Sequence, residues 1–172
     1  MGKYGKALIC LNGHIRSPAI EIRPEDLEAY CSICGSKTID SCLNCNTPIK
    51  GGKLYKISSY YSSRPSYSVR ISNYILPKYC YNCGKPYPWT EKALNVAKEI
   101  IKEAKKLSPE DKEILEKSIE ELINETPNQN LTILRFKKLV SKAEPEFAEI
   151  IKSTLQNILS EVIIKMLFGD KL

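Results

Sequence analysis

Apolar positions in the second half of the chain recur at helical spacing. Ala93, Leu94, Ala97, Ile100, Ile101, Ala104 and Leu107 form one stripe, which predicts a helix capped by Thr90 and running to about Leu107. Ser108-Pro109-Glu110-Asp111 reads as the next helix start, with Ser108 as cap, Pro109 in the first helical position and carboxylates beside the positive end of the helix dipole. Ile114, Leu115, Ser118, Ile119, Leu122 and Ile123 supply its inner face, and Thr126-Pro127 ends it. Leu131, Leu134, Leu139 and Val140 outline a third, shorter helix. A last stripe of Phe147, Ile150, Ile151, Leu155, Ile158, Leu159, Val162, Ile163, Met166 and Leu167 predicts one unbroken helix over 145–168, closed by Gly169. At 1.5 Å per residue it would be about 36 Å long. This helix is expected at the centre of a bundle, with a homo-oligomeric contact as the alternative. Its polar side mixes Glu149, Lys152, Glu161 and Lys165, unlike the basic face of a helix that lies on a membrane.

Upstream of Trp89-Thr90 the pattern changes. Tyr, Ser, Gly and Pro dominate, and alternation over 53–58 and 67–73 predicts two short strands around Ser62-Ser63-Arg64-Pro65-Ser66. The expected domains are therefore 1–89 and 90–172.

The strongest chemical signal lies in the first of these. Seven cysteines and the single histidine fall into four close pairs, Cys10/His14, Cys31/Cys34, Cys42/Cys45 and Cys80/Cys83. This is the ligand count of two tetrahedral zinc sites, because closely spaced cysteines on a tight turn can reach one ion while backbone N–H groups donate to their thiolates. A disulfide framework would leave one thiol over, and MGKYGKALIC carries no apolar signal segment, which points to the cytoplasm. Redox or iron–sulfur use is the weaker reading, since Cys34 and Cys83 are each followed by Gly as in a metal knuckle. No apolar run approaches the length of a membrane span.

Four pairs can combine in three ways. Sequential pairing is preferred because each site would then close a self-contained ribbon, the second holding both predicted strands; RING-like cross-bracing is the alternative and nesting the third arrangement. The fold expected is α+β, with N-terminal tandem zinc ribbons of short β-hairpins followed by a bundle of about four helices.

Charge then refines the picture. Residues 1–89 carry 12 Lys/Arg against 5 Asp/Glu, and residues 90–172 carry 14 against 15, so the formal balances are +7 and −1. Seven thiolates and two divalent ions contribute −3 together, leaving the first part at about +4. The fifty residues 41–90 hold no carboxylate, seven basic residues and eight tyrosines. Lys50, Lys53, Lys56, Tyr60, Tyr61, Arg64, Arg70, Lys78 and Lys85 are the candidate binding residues. Lys and Arg neutralise phosphates and Tyr faces stack unpaired bases, so this stretch suits single-stranded or structured nucleic acid. The alternative is an adaptor within a larger bacterial complex, in which a rigid exposed turn of the ribbons docks an acidic protein partner and the apolar helical tail packs against a second chain.

The four motifs also carry a family resemblance. Cys10-Leu-Asn-Gly-His14, Cys31-Ser-Ile-Cys-Gly35, Cys42-Leu-Asn-Cys-Asn-Thr-Pro-Ile-Lys-Gly51 and Cys80-Tyr-Asn-Cys-Gly-Lys-Pro-Tyr-Pro-Trp-Thr90 resemble the bacterial family called domain of unknown function 2321, as do Leu134-Arg-Phe-Lys-Lys138 and the closing helical stretch. The resemblance implies a double zinc ribbon followed by helices and supplies no activity.

Catalytic signatures are absent from the sequence. Every cysteine and the histidine belong to the ligand pairs, and there is no phosphate loop, GxSxG elbow or HExxH helix. A remote enzymatic alternative keeps His14 out of the ligand set, so that a three-cysteine zinc activates water, with Glu21, Glu25, Asp26 and Glu28 as the nearest carboxylates.

Overall fold

The computed structural model describes residues 3–22, 24, 27–57, 66–69, 74–123 and 129–169. They fall into two compact units, Met1–Trp89 and Thr90–Leu172. The architecture is α+β, with small antiparallel sheets in the first unit and, among the described residues, five helices after them.

Among the described residues, six strands build the first unit: β1 (Tyr4–Lys6), β2 (Leu8–Cys10), β3 (Ile15–Ser17), β4 (Thr38–Ile39), β5 (Lys50–Ile57) and β6 (Ser66–Val69). They form two three-stranded sheets, β3-β2-β4 and β1-β5-β6. The hairpin expected between the third and fourth ligand pairs is present, with Leu54 opposite Val69 and Ile57 opposite Ser66. It is not self-contained. β1, from before the first ligand pair, pairs with β5 through Tyr4 opposite Lys53 and Lys6 opposite Lys50, while Ala7 N–H donates to Ile49 O and Gly52 N–H to Pro18 O. One apolar cluster, Ala7, Ile9, Ile39, Ile49, Tyr87 and Trp89 together with Cys42 and Cys80, serves both ribbons.

Two glycines make this close approach possible. A Cβ on Gly51 would lie 2.2 Å from Pro18 O and 2.7 Å from Gly5 O, and one on Gly52 would lie 2.3 Å from a Val69 methyl. At the same place the β1–β5 register slips, Gly51 and Gly52 of β5 together opposing Gly5 alone of β1, which is a β-bulge.

The helices are α1 (Pro88–Glu103), whose first two residues belong to the first unit, and, within the second, α2 (Pro109–Ile123), α3 (Gln129–Lys142), α4 (Pro145–Gln156) and α5 (Glu161–Phe168). The core of the second unit includes Ile101, Leu115, Ile119, Leu122, Phe136, Ile151 and Leu155, all buried, and Phe136 meets Phe168 edge-on at 6.1 Å. The start of α2 is as expected: Pro109 is its first residue and Ser108 Oγ accepts from Asp111 N–H at 3.1 Å.

Three expectations need correction. Helix α1 begins at Pro88, not after Thr90, because proline already holds the φ of a first helical turn; it stops at Glu103, although Ala104 and Leu107 stay buried. In α3, Leu131 and Leu134 are exposed, and the buried face is Thr132, Ile133, Phe136, Leu139 and Val140. The single helix over 145–168 is two helices. Asn157 closes α4, its backbone N–H donating to Thr154 O, and Ser160 opens α5 by accepting from Ile163 N–H at 3.4 Å. The break rotates the inner face by one position: Ile163, Ile164 and Leu167 are buried, while Val162 and Met166 face out. An unbroken helix would keep the original phase and expose Ile164 instead.

Ser160→Ala removes the cap of α5 and is expected to lower the stability of the helical unit by about 1 kcal/mol, measured as a shift in the urea midpoint of the helical circular dichroism signal.

Candidate metal centres

Three of the four ligand pairs share one local structure. In each, the N–H of the residue after the second cysteine donates to the carbonyl of the first: Gly35 to Cys31 O, Asn46 to Cys42 O and Gly84 to Cys80 O, at 2.8, 2.8 and 2.9 Å. The first cysteine's own N–H donates five residues ahead, to Ser36 O, Thr47 O and Lys85 O. Gly35, Asn46 and Gly84 all have positive φ, of 68°, 57° and 69°, which glycine adopts freely and asparagine tolerates. The pair Cys10/His14 makes a different turn, in which Gly13, at φ 87°, donates to Cys10 O.

These turns bring the ligands together in chain order. Cys10, His14, Cys31 and Cys34 form one group and Cys42, Cys45, Cys80 and Cys83 the other, the ligand atoms of each lying within 4.8 Å of one another. Sulfur–sulfur separations are 3.8 Å for Cys10–Cys34, 3.8 Å for Cys42–Cys83 and 3.7 Å for Cys45–Cys80. His14 Nδ1 lies 3.5, 3.3 and 3.7 Å from the sulfurs of Cys10, Cys34 and Cys31. A regular tetrahedron with metal–sulfur bonds near 2.3 Å and a metal–nitrogen bond near 2.0 Å has edges of about 3.8 Å between sulfurs and about 3.5 Å from nitrogen to sulfur. Both groups therefore have the spacing of a metal-binding tetrad. The pairing is sequential, and His14 takes the corner that an open, water-binding site would need.

Polar groups favour the ionised form of Cys34 and Cys45, while burial opposes it at Cys10 and Cys42. The backbone N–H and hydroxyl of Ser36 hold the Cys34 thiol down to about 5, and the hydroxyl and N–H of Thr47 hold Cys45 down to about 6, whereas burial pushes Cys42 up to about 11. Asn12 and Asn82 act alike across the two centres. Each donates from its side-chain amide to a sulfur of the opposite knuckle, Asn12 to Cys34 at 3.5 Å and Asn82 to Cys45 at 3.8 Å. The recurring Cys-Leu-Asn, Cys-Leu-Asn and Cys-Tyr-Asn at Cys10, Cys42 and Cys80 was the available sign of these residues.

A second support was not visible in the sequence. Arg16 Nε and Nη2 donate to the two Glu28 oxygens at 2.9 Å each, and Nη2 also reaches Ser32 Oγ at 2.8 Å, bracing the turn that carries Cys31 and Cys34. The guanidinium holds the Glu28 carboxyl below its ordinary range. Glu21 accepts from Lys6 N–H with both oxygens. Of the carboxylates considered for a water-activating site, these two are thus engaged in structural contacts, and Glu25 and Asp26 lie outside the described residues.

The candidate binding residues divide. Lys50 and Lys53 line one cleft of about 370 Å³ with Tyr4, Tyr55 and Tyr74. Lys56 shares β5 and does not line it; Lys78 and Lys85 belong to the third knuckle, where their carbonyls accept from Tyr87 and Cys80 N–H. Tyr60, Tyr61, Arg64 and Arg70 lie outside the described residues. Not every tyrosine is surface: Tyr87 is buried and stacked on Trp89 with ring centroids 4.8 Å apart.

Asn46 tests the knuckle geometry. Asn46→Gly is expected to leave metal retention and stability unchanged, while Asn46→Ala costs on the order of 1 kcal/mol because an L side chain is strained at positive φ; thermal melting of the metal-loaded chain reads the difference.

Residues 3–167 match the family described as an uncharacterized protein conserved in bacteria, DUF2321. No curated protein and no solved structure matches the chain. The chain belongs to that family.

Proposed function

We propose that this DUF2321 protein is a non-catalytic zinc-ribbon module of the cytoplasm that contacts single-stranded or structured nucleic acid through its basic, tyrosine-rich surface. Zinc is the metal of choice for closed tetrads of three or four thiolates with imidazole as the only other donor, and the tetrahedral spacing supports a structural role. Two ions per chain are expected on freshly purified protein. Cys80→Ser should lower the metal content by about one equivalent, and chelation should unfold residues 1–89 while most of the far-ultraviolet helical signal persists, because the bound metal contributes to folding of the ribbon unit and the helices bury one another. A collapse of the helical signal on chelation would mean that the two units do not fold separately.

The observation carrying the nucleic-acid reading is the pairing of Lys50 and Lys53 with exposed tyrosines where, among the described residues, neither lysine has a carboxylate within salt-bridge distance. Such cations are available to phosphate. Changing Lys53, Lys56, Arg64 and Arg70 together to Ala should weaken binding of labelled oligonucleotides strongly. It should also flatten the slope of log affinity against log salt by about 0.7 for each phosphate that is no longer neutralised.

One observation favours a second reading. The tips of the three CxxC knuckles present exposed apolar side chains, Ile33, Leu43 and Tyr81, each about two-thirds accessible. In this reading the ribbons dock an acidic protein and the helical tail is a docking or dimerisation element. Absence of oligonucleotide retention at low salt, with a protein partner that survives nuclease treatment, would replace the first reading by this one. Among the described residues no helix is long and apolar enough to cross a membrane.

A further inference from the structure

In an undistorted strand, residues three apart point to opposite faces. Lys50 and Lys53 nevertheless line the same cleft. The bulge at Gly51-Gly52 is the cause: the extra residue shifts the alternation by one, and the two glycines are the residues that allow β5 to bend there against Pro18 and Val69. Two ammonium groups are thereby brought to one opening.

The rest of the cleft is aromatic. Tyr4 stands opposite Lys53 across the β1–β5 pair, Tyr55 follows two residues on along β5, and both are substantially exposed, at 48% and 39%. Lys50 Nζ lies over one face of the Tyr4 ring, 4.1 Å from its centre, and Lys53 Nζ over that of Tyr55 at 5.8 Å, near the outer limit of such contacts. The wall is fixed by Tyr74, whose hydroxyl donates to Lys50 O at 2.9 Å, and Ile75 adds an exposed apolar lip. Among the described residues no carboxylate lines the cleft.

We propose that this cleft is a subsite for one unpaired nucleotide of a single strand, Lys50 and Lys53 holding its phosphate and Tyr55, with Tyr4, offering a stacking face to its base. The inference rests on the nucleic-acid reading above and locates its central contact. Positive charge without a carboxylate selects an anion, and exposed rings beside that charge select an anion carrying a flat π-surface. A volume of about 370 Å³ is at the small end of ligand pockets, roughly 300–1,000 Å³, and is of the size of a single nucleotide; a paired base would not offer its face to Tyr55.

The test uses the full-length, metal-loaded chain and fluorescein-labelled octathymidylate, octauridylate and a duplex of the same length, followed by anisotropy over a salt series. Expected results are tighter binding of the single strands than of the duplex and a loss on the order of ten-fold for Tyr55→Ala with little change in salt slope. Tyr55→Phe should bind as wild type. Tyr55→Leu, which keeps apolar bulk, should bind as weakly as Tyr55→Ala and guards against a folding defect. Lys50→Ala with Lys53→Ala should flatten the salt slope by about 0.7 while metal content stays unchanged. Should the Tyr55 and the Lys50/Lys53 variants bind as wild type while changes at Lys56, Arg64 and Arg70 still weaken binding, the subsite is overturned and the nucleic-acid reading stands. Equal affinity for the duplex also overturns the subsite. If wild type binds none of the three probes at low salt, the nucleic-acid reading itself fails, and the subsite with it.

Discussion

Four sulfur atoms at van der Waals distance from one another do not ionise together without a cation between them. The second tetrad, of four cysteines, places two sulfur pairs at 3.7 and 3.8 Å around two buried cysteines, Cys42 and Cys80. A divalent ion leaves that centre with a charge of −2 and the Cys₃His centre with −1, and the surrounding donors from Asn12, Asn82, Ser36 and Thr47 spread what remains. The apolar cluster of the ribbon unit is small, and Cys42 and Cys80 are members of it. The candidate ligands and the hydrophobic core are accordingly one cluster here, and without an ion it would carry thiols where other domains keep leucines.

Much of this was legible because ligand chemistry is written in spacing. Spacing marks the four ligand pairs but leaves three ways of combining them, and the Gly after Cys34 and Cys83 announces the positive φ of the turn. Ser108-Pro109 announced a helix start for the same reason, since cap and proline act locally. The errors lie where tertiary packing overrides local pattern. The stripe over 145–168 is apolar on enough positions to suit two phases, and the competing cap at Ser160 breaks it. Leu131 and Leu134 look like core by type, yet Thr132 is buried in their stead, with its hydroxyl bonded to Glu121 at 2.6 Å. Pairing of β1 with β5 had no local sign at all, because Tyr4-Gly5-Lys6 contains no alternation long enough to read.

The tyrosines show why composition alone misassigns a surface. Among those described, Tyr87 packs inside against Trp89 and Tyr74 is a wall fixed through its hydroxyl, whereas Tyr4, Tyr55, Tyr67 and Tyr81 are exposed. An acid-free, tyrosine-rich segment thus supplies both a small metal-stapled core and an outer face. Only the fold, and in particular the bulge at Gly51-Gly52, separates the two uses.

The strand that completes the cleft comes from the far side of the first ribbon. Pairing β1 with β5 closes a loop of more than forty residues, and the tetrad of Cys10, His14, Cys31 and Cys34 lies wholly inside it. When that tetrad is gathered on an ion, the effective contour of the loop shortens; each halving of loop length lowers the entropic cost of closure by about 0.6 kcal/mol. An ion at the first centre would in this way favour the placement of Tyr4 near Lys50 and Lys53, although none of its candidate ligands lines the cleft. A chain with an ion at the second centre alone would keep its hairpin but bear the full chain entropy of recruiting β1.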